Sequence, residues 1–234
     1  MKTIRRAAPE PKVAKSKSLR ERVYDIYRER ITTGQITHDD RMVDMEIAAE
    51  LGISRMPVRE ALMQLVHEGM LESSSRGFVL RRFSDLEIEE IFEIRSLLEP
   101  AAASRAALRM NDALLQQMEG ALKKCRRASE AGDLSRFMVS NAEFRNIWLG
   151  QATNSQLVAA ITTYVDHVQV VRLATLQCRE VRNNVLDLMQ EILLALRARN
   201  AAKAATVVQR ALANALDAFK LERQHSTSLE KKAS

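Results

Sequence analysis

The 234-residue chain is poor in the residues that build turn-rich or cross-linked architectures: it has two cysteines, four prolines, seven glycines and only 4% aromatic residues. Cys125 and Cys178 form no CxxC pair, which excludes a disulfide framework and a cysteine zinc site. No run of about 18 apolar residues occurs, and no apolar segment follows the basic start, so neither a membrane span nor a secretory signal is expected. The reading is a soluble, cytoplasmic protein. GxSxG, P-loop and HExxH strings are also missing, which removes the usual sequence grounds for an enzyme. With glycine and proline scarce beside 46% hydrophobic residues, helices are favoured over sheet.

What is there begins with charge. Lys and Arg number 36 against 30 Asp and Glu, giving a net charge of +6 and a pI near 9.5, which suits a polyanionic partner. The excess sits at one end, where Lys2, Arg5, Arg6, Lys12, Lys15, Lys17 and Arg20 are opposed by Glu10 alone. Residues 1–17 read as a basic disordered arm, because Pro9 and Pro11 discourage a helix. Such an arm either stays solvated or rests on DNA phosphates, and both readings stand.

Ser18 can cap a first helix in which Leu19, Val23, Ile26, Tyr27 and Ile31 recur at helical spacing up to Gly34. A polar, loop-like stretch covers residues 35–43. A short helix from Met45 to Leu51 stops at Gly52, and Ser54 restarts one with Val58, Ala61, Leu62, Leu65 and Val66 inward. Met70 to Leu80 changes period and reads as a two-stranded hairpin around Ser73 to Gly77. From Ser84 onward no strand signal remains. Punctuation near Asn111, Gly132-Asp133, Thr153-Asn154 and Asn200 divides the rest into about six helices, over 84–109, 111–130, 133–150, 155–177, 180–198 and 201–221, with a kink expected at Pro100. The expected fold is mainly α: an N-terminal winged helix-turn-helix over 18–82, an all-α helical bundle over 83–222 for effector binding and dimerisation, and a flexible tail over 223–234.

The chemistry-bearing segment is residues 48–62, AAELGISRMPVREAL. A helix-turn-helix needs a small residue where its helices cross, a glycine able to adopt positive φ in the turn, and an apolar anchor on the second helix. Ala48, Gly52 and Val58 have that spacing, although a plain helical hairpin also likes a glycine turn. The outward residues favour the DNA reading. With Ser54 as N-cap, Arg55, Met56 and Arg59 project from the first turns, where arginine can read guanine bidentately and the Ser54 hydroxyl can meet a phosphate. Arg76 and Gly77 at the hairpin tip are further candidates for DNA contact, a plain surface turn being the alternative.

The run from Gly52 to Leu62 followed by a glycine-containing wing resembles the GntR family of bacterial regulators. The helical remainder, with Ile91-Phe92-Glu93-Ile94-Arg95-Ser96-Leu97-Leu98-Glu99 after the wing, resembles the FadR-type subfamily with a C-terminal FCD domain. The resemblance spans about residues 18–221. It implies a homodimer that represses from a palindromic operator on double-stranded DNA and responds to a small anionic metabolite in the helical domain. The alternative is a helical domain that only dimerises. Many such domains bind a divalent metal through an Asp and a His four residues apart and a His on each of two later helices. Here the resemblance puts Asn141, Arg145, Met189 and Ala211 at those places, so no metal and no cofactor is expected. Arg95, Asn141, Arg145, Arg172 and Met189 become the candidate effector-binding residues. His167 reads as a satisfied structural histidine, and Met110, Met118, Met138 and Met189 as core methionines, flexible enough also to suit an acyl pocket.

Overall fold

Why helices begin where they do is legible in their caps. In this computed structural model, which describes residues 17–233, the Ser18 hydroxyl accepts from the Glu21 N–H while the Glu21 carboxylate accepts from the Ser18 N–H, opening α1 (Leu19–Thr32). The same reciprocal box, between Ser84 and Glu87, opens α4 (Asp85–Ala107). Asn111, Asp133 and Asn154 cap α5 (Asp112–Glu130), α6 (Leu134–Leu149) and α7 (Ser155–His167) with side-chain oxygens. Each such cap stabilises its helix by about 1 kcal/mol. The punctuation marks of the sequence are thus the caps themselves. Except for Lys17, the expected basic arm lies outside the described residues.

The N-terminal part combines α1, α2 (Asp44–Leu51) and α3 (Arg55–His67) with a hairpin of β1 (Leu71–Ser74) and β2 (Gly77–Leu80). The strands pair antiparallel with Leu71 opposite Leu80 and Ser74 opposite Gly77. Met42 adds a bridge to Phe78, each N–H donating to the other's carbonyl at 2.8 Å, so the stretch read as loop supplies a third edge to the wing. Val23, Tyr27, Ile31, Val58, Leu62, Leu65, Leu71 and Phe78 form one buried cluster. A second begins at Ile88 and runs to Phe219, through α4, α5, α6, α7, α8 (Gln169–Thr175), α9 (Arg179–Arg197) and α10 (Ala201–Ala233).

Two expectations are corrected here. The helix expected over 155–177 is broken at Val168 (φ −90°, ψ 23°) into α7 and α8, which makes seven helices after the wing among the described residues. The β-branched residues Val165, Val168 and Val171 lower the cost of leaving helical geometry, and all three stay buried across the break. At the other end, α10 continues to Ala233, past Arg223, where a flexible tail was expected. Residues 223–233 contain neither glycine nor proline, so nothing local stops the helix. α4 likewise runs as one helix through Pro100. The methionines 110, 118, 138 and 189 are all buried in the second cluster.

Candidate functional site

The turn between α2 and α3 is set by Gly52, whose φ of +63° lets its own N–H and that of Ile53 return to the last carbonyls of α2. Ala48 is buried where the helices cross and Val58 is fully enclosed. That anchoring fixes the outer face of α3. Ser54 takes the N-cap position, but its hydroxyl makes no capping bond. Met56 is 64% exposed, and Arg55 and Arg59 project beside it from the same exposed start.

Both arginines converge on Asp44, a residue the sequence reading missed. Arg55 Nε lies 2.9 Å and Arg59 Nη1 3.6 Å from the same Asp44 oxygen; that carboxylate is 8% exposed, while the two arginine side chains are 54% and 56% exposed. One internal acid thus tethers two surface cations. No periodicity could have flagged Asp44, since an acid in the first turn of a helix is ordinary dipole chemistry.

In the wing, Arg76 occupies the turn between the strands and is exposed. Gly77 has a local structural reason of its own: with φ at +128°, a Cβ there would come within 2.6 Å of the Met42 carbonyl oxygen. The bridge to the loop strand requires a bare backbone at that point.

The helical part holds a cavity of about 350 Å³ between α4, α6, α8, α9 and α10. Arg95, Asn141, Arg145, Arg172 and Met189 all line it, together with Ala211 and an apolar wall that includes Phe92, Phe144, Trp148, Val171 and Leu188. The four places where the resemblance would put metal ligands therefore share one cavity, but an amide, a guanidinium, a thioether and a methyl do not make a divalent site. Among the described residues no three His, Cys, Asp or Glu side chains come together.

The cavity is instead cationic. Arg95 donates to Glu99 at 2.6 Å, both are buried, and its guanidinium lies 4.8 Å from the Phe92 ring centre. Arg145 and Arg172 add two more positive charges. The Arg145 Nε is enclosed and has no hydrogen-bond partner. Desolvation outweighs the attraction of Glu99 and pushes the Arg145 guanidinium down to about 10. Arg172 is lowered by burial and then by Arg145 and Arg95. The buried Arg145 Nε has lost water without a hydrogen-bond partner in return, so an anion entering here would relieve that cost.

The break at Val168 lies between the cavity and the N-terminal part. On its α7 side, Asp166 accepts from Arg28 of α1 at 2.5 and 3.0 Å, and His167 Nε2 is 2.6 Å from the Glu68 carbonyl. His167 also stacks near Phe83, with ring centres 5.3 Å apart, so it is satisfied structurally. On the other side, Val168, Val171 and Arg172 face the cavity. Arg28 was missed in the sequence because its partner is 138 residues away.

Comparison with known proteins agrees with this geometry. The model of bacterial regulatory proteins of the gntR family matches residues 19–79, and that of the FCD domain matches residues 90–214. An uncharacterised HTH-type transcriptional regulator of Mycobacterium tuberculosis is 35% identical over 102 residues, 43% of this chain and 42% of that protein. A probable D-xylose utilization operon transcriptional repressor of Paenarthrobacter nicotinovorans is 31% identical over 131 residues, 56% of this chain and 58% of that protein. The aligned stretch thus spans less than two thirds of either relative. The Escherichia coli McbR/YncC structure shares the fold, with a TM-score of 0.76 at 22% identity over 94% of this chain and 100% of that one. The chain belongs to the gntR family of bacterial regulatory proteins and carries an FCD domain.

Proposed function

We propose that the regulator is a homodimeric repressor that reads a palindromic operator with α3 and is controlled by a small organic anion held in the FCD cavity. In this reading Arg55 and Arg59 leave Asp44 for guanine edges or phosphates, the uncommitted Ser54 hydroxyl meets a phosphate, Met56 lies against the groove floor, and the wing offers Arg76 to the flanking backbone. Gly77 gives that wing its close backbone approach. Two copies are needed because a single helix-turn-helix covers one half-site. The observation that carries the effector assignment is the enclosed, unpartnered Nε of Arg145 on an arginine-rich cavity wall.

Asn141 adds a hydrogen-bonding amide, Arg95 and Arg172 the remaining positive field, and Met189 with the aromatic wall an apolar seat. Occupation is transmitted through the α7 to α8 break, because Arg172 lines the cavity about two turns along the chain from the Asp166 contact with Arg28. The test has two parts. Fluorescence anisotropy on DNA from beside the coding sequence, titrated with salt, measures operator binding. Thermal shift against mono- and dicarboxylates, sugar acids and acyl-CoA esters measures the anion. Operator binding with a ligand that both raises melting and alters DNA affinity is expected; melting unmoved by every acid leaves a domain that only dimerises.

A further inference from the structure

We infer that the exposed face of α4 is where two copies of this chain pair, antiparallel, with Leu97 at the two-fold axis. The inference rests on the homodimer proposed above and adds to it the surface and its geometry. Leu86, Leu97 and Leu108 are 67%, 72% and 65% exposed. They are separated by equal steps of eleven residues, close to three helical turns, so they form one ridge about 33 Å long. Isolated exposed leucines are ordinary, but a spaced row on one helix edge is an unfilled contact.

The charges beside the ridge select its occupant. On α4, Asp85 pairs with Arg223, Glu87 with Arg81, Glu89 with Lys220 and Glu99 with Arg95. Glu90 and Glu93, next to the ridge, have no ion-pair partner among the described residues, and neither have Arg105 and Arg109 at its other end. The acids precede Leu97 and the arginines follow it. A two-fold rotation at Leu97 sets Leu86 opposite Leu108 and the acidic half of each helix opposite the basic half of its mate. A parallel arrangement would stack acid on acid. An isologous interface must be self-complementary in this way, which no unrelated partner would require. A groove of about 360 Å³ beside the ridge, between α4 and α10 and lined by Leu86, Glu93, Ser96, Leu212 and Leu216, gives the facing side chains room to interdigitate.

The experiment uses the full chain and light scattering after size exclusion. Leu97→Arg, at an exposed position, should halve the dimer mass to 26.4 kDa with the helical circular dichroism unchanged. Leu97→Cys in a Cys178→Ser background should give a disulfide-linked dimer on mild oxidation, since a residue on the axis meets its own copy; Cys125 is buried and stays silent. Arg105→Glu should weaken the dimer, and adding Glu90→Arg should restore it. A wild-type dimer that survives Leu97→Arg, with no cross-link formed by the Leu97→Cys variant, overturns this face and leaves the homodimer standing. A wild-type chain monomeric both free and on DNA overturns both.

Discussion

Two pairs of arginines separate the halves of this molecule. Arg55 and Arg59 stand on the surface of the DNA-binding part and share one buried acid, Asp44. Arg145 and Arg172 stand in the wall of a cavity, where burial depresses both guanidinium groups and the Arg145 Nε has no partner. The first pair is half-solvated and already neutralised in part, so exchanging Asp44 for DNA costs little and the gain depends on fit. In the second pair the Arg145 Nε has lost water without a partner in return. In the proposed reading, arginine at the surface discriminates between DNA sequences and arginine in the cavity receives the anion.

The sharpest way to break that contrast is Arg145→Met. It removes an enclosed cation and keeps most of the volume, so the ligand-free protein should melt at the same temperature or a few degrees higher. The stabilisation by a bound acid, about 2.7 kcal/mol at a hundred times Kd, should vanish in the thermal-shift measurement. A variant that melts lower without ligand and still responds to acid would mean that Arg145 is an ordinary structural residue.

Arg59→Ala probes the surface pair. Losing a bidentate base contact costs about 1–3 kcal/mol on the operator, while binding to random DNA should change far less. Anisotropy on both DNAs reads the ratio. Equal losses on the two would reduce Arg59 to a phosphate contact.

Asp44→Asn tests the shared acid, and its effect should have two signs. Removing a negative charge beside the DNA backbone strengthens binding to random DNA, by about tenfold at low salt. Releasing both side chains from a common anchor lets them adopt more rotamers, which weakens discrimination between operator and random DNA. Unchanged discrimination would leave Asp44 as a packing residue only.

Much of this was legible in the sequence where the determinant is local. Ser18, Ser84, Asn111, Asp133 and Asn154 mark helix starts because each bonds a backbone N–H within three residues. Ala48, Gly52 and Val58 mark the turn for the same reason of short range. Of the five residues marked for the cavity, Asn141, Arg145 and Met189 came from a resemblance and Arg95 and Arg172 from their charge, and the fold brings all five to the lining of one cavity. Unreadable features depend on distant partners: Asp44 matters only once α3 lies across α2, Met42 becomes a strand edge only when Phe78 meets it, and Arg28 finds Asp166 only through the tertiary fold. The break at Val168 escaped for a different reason, because an apolar helical period continues on both sides of it.

That break supplies the smallest predicted effect and the one that links the two arginine pairs. Asp166 is 11% exposed and Arg28 33%, so their bond is partly screened, and Asp166→Asn should cost about 1 kcal/mol of stability. The burial of the cavity arginines should remain, and acid binding measured by calorimetry should stay within about twofold of the unaltered protein. What should disappear is the change in operator affinity on adding that acid, because the α7 end would no longer hold α1 through a charge. Retained coupling would move the transmission to His167 and the Glu68 carbonyl, the other contact at the break. Loss of acid binding itself would instead make Asp166 part of the cavity's charge balance, consistent with its attraction being felt at both Arg145 and Arg172.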